Sequence, residues 1–344
     1  MGFNIIRKLP DLSEILAKAP LTADLQKIKQ ARDAELAEII QNKSDRFLVI
    51  VGPCSADDED TVTEYVTKLA KLYEKLKHKL FIVPRIYTNK PRTTGEGYKG
   101  MMHQPDPTSA PNMADGITAI RNIHLRCIKE TGFTAADEML YPDNLVYCED
   151  LLGYIAIGAR SVENQHHRLT SSGISVPVGL KNPTSGDLSV MFNAIKAAQT
   201  AHTFIFRDAE VETTGNPLAH AIMRGSVNRQ GVDIPNYHYE DLQNAVDIYE
   251  KRGLQFPMIV VDANHSNSGK QYHEQPRIAK DILHTRQNNA KIKQVVRGLM
   301  IESYLKEGRQ DLQGNSYERG RSITDPCLGW QATEELLCYI AENV

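Results

Sequence analysis

No run of this 344-residue chain stays apolar over the roughly 20 positions that a bilayer span requires. The opening MGFNIIRKLPDLSE has no hydrophobic segment of signal-peptide length, and Gly2 is not followed by Ser or Thr at position 6. Both observations argue against a secretory leader and a myristoyl anchor. Charge of one sign is missing too. With a formal net charge of -3, no overall basic field points to nucleic acid or to an anionic membrane as partner. Any anion must be held by a local cluster. Cysteine is sparse: Cys54, Cys127, Cys148, Cys327 and Cys338 are odd in number, dispersed and without a CxxC pair. That usage predicts a reducing, cytoplasmic setting and no disulfide framework. A GxGxxG fingerprint, a long Pro/Ser linker, low-complexity tracts and short repeats are all absent.

The composition that remains, 41% hydrophobic and 24% charged, is ordinary for a globular protein. The length suits one large α/β barrel or two medium domains. Residues 11–43 read as helix, with Leu25, Ile28, Leu36, Ile39 and Ile40 at helical spacing, so 1–45 is expected to be an N-terminal helical extension. From there β-rich runs alternate with amphipathic stretches such as 60–76 and 187–199. The runs are RFLVIVG (46–52), LFIVPRIY (80–87), FTAADEM (133–139), YIAIGAR (154–160), VPVGLK (176–181), AHAIMRG (219–225), MIVVDANH (258–265) and QVVRGLMIE (294–302). Such alternation predicts a (β/α)8 TIM barrel over 46–344. The competing architecture is a doubly wound open sheet, which the missing dinucleotide fingerprint disfavours. A further run, HTFIFRD (202–208), does not fit the eightfold count and predicts an added β-hairpin.

Barrel chemistry sits where strands end, and here nearly every run finishes in a metal-competent or cationic residue. In order these are Cys54, Arg85, Glu138, Arg160, Lys181, Arg224, His265 and Glu302. Cys54 by itself could be half of a disulfide, a nucleophile, a metal ligand or a small core residue. Taken with His265 and Glu302, from the seventh and eighth runs, it belongs to a converging thiolate, imidazole and carboxylate. Asp325, in SITDPCLGW, can complete a four-ligand set. A mixed S/N/O site suits one divalent Mn, Fe, Co or Zn ion better than Mg or Ca, because thiolate is too soft for the latter. A second group, Arg85, Lys90, Arg92, Arg160, Lys181 and Arg224, would repel itself in one mouth unless anions neutralise it, which predicts phosphate or carboxylate ligands.

The segments GPCS (52–55), KPRTT (90–94), GARSVENQ (158–165), GLKNPTSG (179–186), DANHSNSGKQ (262–271), MIESYLKEG (300–308) and SITDPCLGW (322–330) resemble 3-deoxy-D-arabino-heptulosonate-7-phosphate (DAHP) synthases of the bacterial type I alpha group. The resemblance runs in order from about residue 15 to 340. It implies a (β/α)8 barrel with a divalent metal that condenses phosphoenolpyruvate with erythrose 4-phosphate at the start of the shikimate pathway. By motif, Cys54, His265, Glu302 and Asp325 would be the metal ligands. Arg85, Arg160, Lys181 and Arg224 would hold phosphoenolpyruvate, and Lys90, Pro91, Arg92 and Thr93 would face the sugar phosphate, with Asp325 beside them. Lys90 is the candidate proton donor and Glu138 the candidate for orienting the attacking water, with Cys54 and His265 acting through the metal. The extension before the barrel suggests a homodimer or homotetramer.

Departures from that family pattern carry their own expectations. After KPRTT the chain reads GEGYKG (95–100), one residue longer than is usual and with Tyr98 in place of Trp. The positions matching an effector pocket's acid and Pro-Gln pair are Tyr141, Leu145 and Val146, and the region between Phe206 and Gly215 is about five residues shorter. Weak or absent inhibition by aromatic amino acids is therefore expected, unless Asp143 or Asp137 replaces the missing acid. Two other readings compete: a 3-deoxy-D-manno-octulosonate 8-phosphate synthase using arabinose 5-phosphate, whose KANR loop differs at Pro91, and a non-catalytic sensor with a structural metal.

Overall fold

Each apolar run becomes a strand buried along its whole length, as parallel strands covered on both faces must be. In the computed structural model, which describes residues 2–312 and 317–344, the strands are β1 (Phe47–Gly52), β2 (Leu80–Pro84), β3 (Ala136–Glu138), β4 (Tyr154–Ile157), β5 (Val178–Lys181), β6 (His220–Met223), β7 (Ile259–Asp262) and β8 (Val296–Glu302). They form one 8-stranded parallel sheet in the order β2-β1-β8-β7-β6-β5-β4-β3. A parallel bridge from Arg85 to Ala136 joins its two edges and closes the barrel.

Side chains alternate with the period of two that a strand imposes. Leu48, Ile50, Phe81, Val83, Tyr154, Val260 and Met300 fill the barrel interior. Their neighbours Phe47, Val49, Val51, Ile82, Ile155, Val261 and Ile301 face the helices outside. Those helices include α3 (Glu59–Leu76) and α4 (Met113–Thr131), whose first turns are capped by the Asp58 and Asn112 side chains. Between β3 and β4 a 3-10 turn, Pro142–Tyr147, replaces an α-helix.

The single helix expected over 11–43 is two helices, α1 (Leu12–Lys18) and α2 (Ala23–Ile40). Pro20 breaks it, because proline lacks an N–H and disfavours helical backbone at the residue before it. The carbonyl of Ala19, freed at the break, accepts from Arg121 Nε (3.1 Å) and Nη2 (2.8 Å). α2 then drives Leu36, Ile39 and Ile40 into the interior cluster. At its end Arg297, from the start of β8, donates to the carbonyls of Ile39 and Ile40 and to Asn42 Oδ1. The end of the barrel where the strands begin is thereby plugged.

The ninth run forms the expected hairpin, Thr203–Phe206 against Ala209–Glu212. Its two-residue turn, Arg207 (φ 51) and Asp208 (φ 62), has the left-handed backbone that tight hairpins require. Among the described residues no helix is long and apolar enough to cross a membrane.

Candidate active site at the mouth of the barrel

At the C-terminal ends of the strands lies a cavity of about 300 Å³, lined by Lys90, Pro91, Arg92, Thr93, Glu138, Arg160, Lys181, Arg224, His265 and Asp325 among others. The register explains the convergence: Gly52, the last residue of β1, pairs with Glu302, the last of β8. Cys54 therefore turns in beside that carboxylate. One ligand atom each from Cys54, Glu302 and Asp325 lies within 4.8 Å of the others.

His265 stands beside this trio rather than within it, with Nε2 3.8 Å from Glu302 Oε1 and Nδ1 2.9 Å from Asp262 Oδ2. Its backbone is left-handed (φ 48), a conformation that costs energy for a residue with a Cβ. Burial pushes the imidazole below its ordinary pKa, which favours the neutral form that ligates metals. Burial, then the Glu302 charge, pushes the Cys54 thiol up to about 12. Burial would raise the carboxyl pKa values of Glu302 and Asp325, but the neighbouring cations together, led by Arg85 for Glu302 and by Lys90 for Asp325, outweigh it and hold both below the usual range. Glu302 Oε1 is buried with no well-aligned hydrogen bond. Soft sulfur, neutral nitrogen and anionic oxygen gathered around an under-satisfied carboxylate fit a divalent transition metal.

The cations divide into two roles. Lys90 Nζ lies 2.7 Å from Cys54 Sγ and 2.9 Å from Asp325 Oδ2, joining the donor set directly. Arg85, only 2% exposed, lies beneath the cavity, stacked over Tyr87 and 2.7 Å from Glu302 Oε1. Arg160, Lys181 and Arg224 line the opening. Burial lowers the pKa of Lys181, opposed by Asp262 3.5 Å away, and lowers that of Arg224. Arg85 Nη1 and Arg224 Nη1 are buried with no acceptor among the described residues. Arg92 is oriented by its Nε donating to the Tyr98 carbonyl (2.8 Å), and Tyr98 O–H donates to the Ala56 carbonyl (2.9 Å). The altered GEGYKG loop is thus tied back to the β1–α3 connection. Glu138 faces the cavity from β3 and packs against Gly158, where a Cβ would collide with its carboxylate.

Three contributors escaped the sequence reading. Asp262 ends β7 and connects His265 with Lys181. Asn264 Nδ2 donates to Glu302 Oε2 (2.6 Å). Gln275 clasps the Glu302 backbone, accepting from its N–H (2.8 Å) and donating to its carbonyl (2.9 Å). Asp262 and Asn264 lie inside the DANH motif, and a carboxylate ending an apolar run was the available signal. Gln275 offered none.

Comparison with known proteins agrees with this architecture. Residues 22–338 match the DAHP synthetase I family. The phospho-2-dehydro-3-deoxyheptonate aldolase of Haemophilus influenzae is 38% identical over 342 residues, 98% of this chain and 91% of its own. The Phe-sensitive enzyme of that name from Escherichia coli is 37% identical over 346 residues, covering 98% and 95%. A solved structure of the Francisella tularensis enzyme of that name has a TM-score of 0.90 at 32% identity and covers 99% of this chain and 98% of its own. A closed barrel, a donor set at its mouth and near-complete coverage by these relatives lead to one assignment: the chain belongs to the DAHP synthetase I family.

Proposed function

We propose that this protein is a DAHP synthase, a transferase that joins phosphoenolpyruvate to erythrose 4-phosphate, releases phosphate and opens the shikimate route to the aromatic amino acids. The observation that carries the reading is the pair of buried guanidinium nitrogens, Arg85 Nη1 and Arg224 Nη1, left without acceptors among the described residues at an apolar-walled barrel's mouth. Buried donors are almost always satisfied, so these call for an anionic ligand. Arg160, Lys181 and Arg224, with Arg85 beneath, suit the phosphate and carboxylate of phosphoenolpyruvate. Lys90, Pro91, Arg92 and Thr93 suit the sugar phosphate, with Asp325 alongside.

A divalent Mn, Fe, Co or Zn ion, when held by Cys54, His265, Glu302 and Asp325, supplies Lewis-acid polarisation of the aldehyde oxygen. The protein's own groups do the rest. The arginines fix phosphoenolpyruvate so that its C3 faces the aldehyde carbon. As the C3–C1 bond forms, the Lys90 ammonium gives a proton to the aldehyde oxygen. Glu138 orients water onto C2. Water adds to C2 and gives up one proton, which restores the Lys90 ammonium. The bond from C2 to the phosphate oxygen then breaks, its electron pair leaving with phosphate, and the new hydroxyl loses its proton as C2 becomes a ketone. Lys90 enters the reaction charged. Burial would lower its pKa, but Cys54, Asp325 and Glu302 outweigh that effect and hold it above the ordinary value.

A phosphate-release assay with phosphoenolpyruvate and either erythrose 4-phosphate or arabinose 5-phosphate tests the assignment, with metal stripped and then restored. Preference for the four-carbon sugar and dependence on added metal are expected; equal efficiency with both sugars contradicts the reading. The matched relatives lend no support to the octulosonate synthase or to the sensor. We further infer that aromatic amino acids inhibit weakly or not at all, although relatives carry the names Phe-sensitive, Trp-sensitive and Tyr-sensitive. Tyr141, Leu145 and Val146 offer no carboxylate. Asp137 is engaged by Thr88 N–H (2.9 Å) and Glu138 N–H (2.7 Å), and Asp143 is exposed on the 3-10 turn.

A further inference from the structure

The plugged end of the barrel holds a second concavity, and its charge is opposite to that of the chain as a whole. Arg46, Lys79, Arg286, Lys293 and Arg297 line it, against two carboxylates, the Asp45 side chain and the terminal group of Val344, in a protein of net charge -3. Arg286 (6% exposed) and Arg297 (7% exposed) are buried. Their hydrogen-bond partners are neutral: the Val296 carbonyl for Arg286, and the Ile39 and Ile40 carbonyls and Asn42 Oδ1 for Arg297. Arg297 Nε is buried with no acceptor among the described residues. Arg286 donates through Nε and lies 4.5 Å over the Phe47 ring. Arg46 pairs with Glu35 at 2.7 Å. Lys79 and Lys293 are exposed at the rim.

Two like charges buried side by side are unfavourable unless something neutralises them. Burial, then the Arg297 charge, pushes the Arg286 guanidinium down to about 10, and burial pushes Arg297 down to about 10. A surface network of salt bridges does not account for this, because among the described residues the two arginines bond only to neutral oxygens. Capping of α2 explains part of Arg297 but nothing of Arg286 or the rim lysines.

We propose that this basal concavity binds a small multivalent anion bearing phosphoryl groups, held by Arg286 at the floor and by Lys79 and Lys293 at the rim. Guanidinium forks match phosphoryl oxygens bidentately, and ammonium groups add charge without demanding geometry. A single carboxylate would leave most of the excess charge in place. The buried arginines are reached only by a group small enough to enter the bowl, which disfavours a macromolecular surface. Because the lining joins the α2–β1 connection to the start of β8, the anion fastens the helical extension to the barrel. It therefore stabilises the folded state by mass action.

Isothermal titration with tripolyphosphate, alongside the thermal unfolding midpoint, tests this on the full chain. Saturable binding and a raised midpoint are expected, with binding weakened at least about tenfold in Lys79→Ala/Lys293→Ala, the scale set by losing charged partners. Both lysines are exposed, so the double variant keeps its fold and its turnover. Arg286→Gln provides a second variant at the floor and loses binding likewise. Arg92→Ala, altered in the active-site mouth, retains the basal signal. ATP and a hexose bisphosphate, added singly, separate a nucleotide from a sugar source, and loss of either one's binding in the double variant supports the site. A signal that vanishes in Arg92→Ala but persists in Lys79→Ala/Lys293→Ala overturns the proposal. So does the absence of saturable binding below about 1 mM.

Discussion

Cys54 carries the sharpest test at the scale of single residues. Its sulfur is fully buried beside two carboxylates, and Lys90 is the ammonium that touches it. A hydroxyl in that place is a harder, far less acidic donor, so Cys54→Ser should lose bound metal and nearly all turnover. Metal content by elemental analysis and kcat check it together; full occupancy with normal kcat would remove Cys54 from the ligand set. Cys127 and Cys148 are buried elsewhere in the core. Their alanine variants should lower stability by about 1 kcal/mol, the usual cost of a small core truncation, and leave kcat intact. Gly158 gives a second test. An added methyl meets the tip of the Glu138 side chain, which can swing aside. Gly158→Ala should therefore fold normally yet lower kcat with little change in KM for either substrate. An unchanged kcat would free Glu138 from any role in orienting water.

At the scale of elements, strand ends are legible because a strand buried on both faces reads as an unbroken apolar run, so the first polar residue after it marks the mouth. That logic locates Arg85, Lys181, Arg224 and Glu302 from sequence alone. It fails where partners are distant in the chain. Nothing near Glu302 foretells that Gln275 holds its backbone, and nothing near Arg297 foretells that it receives the end of α2. The helical extension likewise reads as an amphipathic segment, while its destination inside the barrel depends on tertiary packing. Leu36 is 1% exposed within the interior cluster. Leu36→Ala should then cost about 2–5 kcal/mol in urea unfolding, the range for buried Leu→Ala changes, with kcat nearly unchanged. Wild-type stability in that variant would show that the extension is not part of the cooperative unit. The hairpin makes its own prediction. The pocket beside the hairpin has no acid at Tyr141, Leu145 or Val146, and of the acids that do line it Glu149 is paired with Arg207 (2.9 Å) and Asp150 with Arg121 (2.7 Å), which leaves Glu212 on the hairpin itself. Phenylalanine, tyrosine and tryptophan titrated to millimolar levels should leave activity nearly intact; micromolar inhibition by any one refutes this.

Two buried groups contribute to the whole molecule's response to acid with opposite signs. His220, inside the barrel, hydrogen-bonds with Tyr154 O–H (2.8 Å) and the Leu218 carbonyl (2.9 Å), and burial lowers its pKa from 6.5 to about 4. Between those values the unfolded chain binds the proton that the folded one refuses, so stability falls as pH drops from 6.5 towards 4. Asp57, beneath the mouth, accepts from Tyr304 O–H (2.7 Å), but burial outweighs that bond and raises its pKa from 3.8 to about 6. Here the folded state binds the proton first, so its contribution is present below 3.8 and is lost as pH rises through 6. Each effect amounts to roughly 3 kcal/mol, at about 1.4 kcal/mol per pKa unit. Over pH 4–6 they nearly cancel, and these two groups together leave little slope. Removing one exposes the other. Asp57→Asn keeps an acceptor for Tyr304 but no longer titrates, so its unfolding free energy should fall towards acid by close to one proton's worth more than wild type. His220→Gln should shift the slope the other way. Urea unfolding at several pH values between 4 and 7 measures both. Parallel curves for wild type and Asp57→Asn would mean that Asp57 carries no excess proton in the folded barrel.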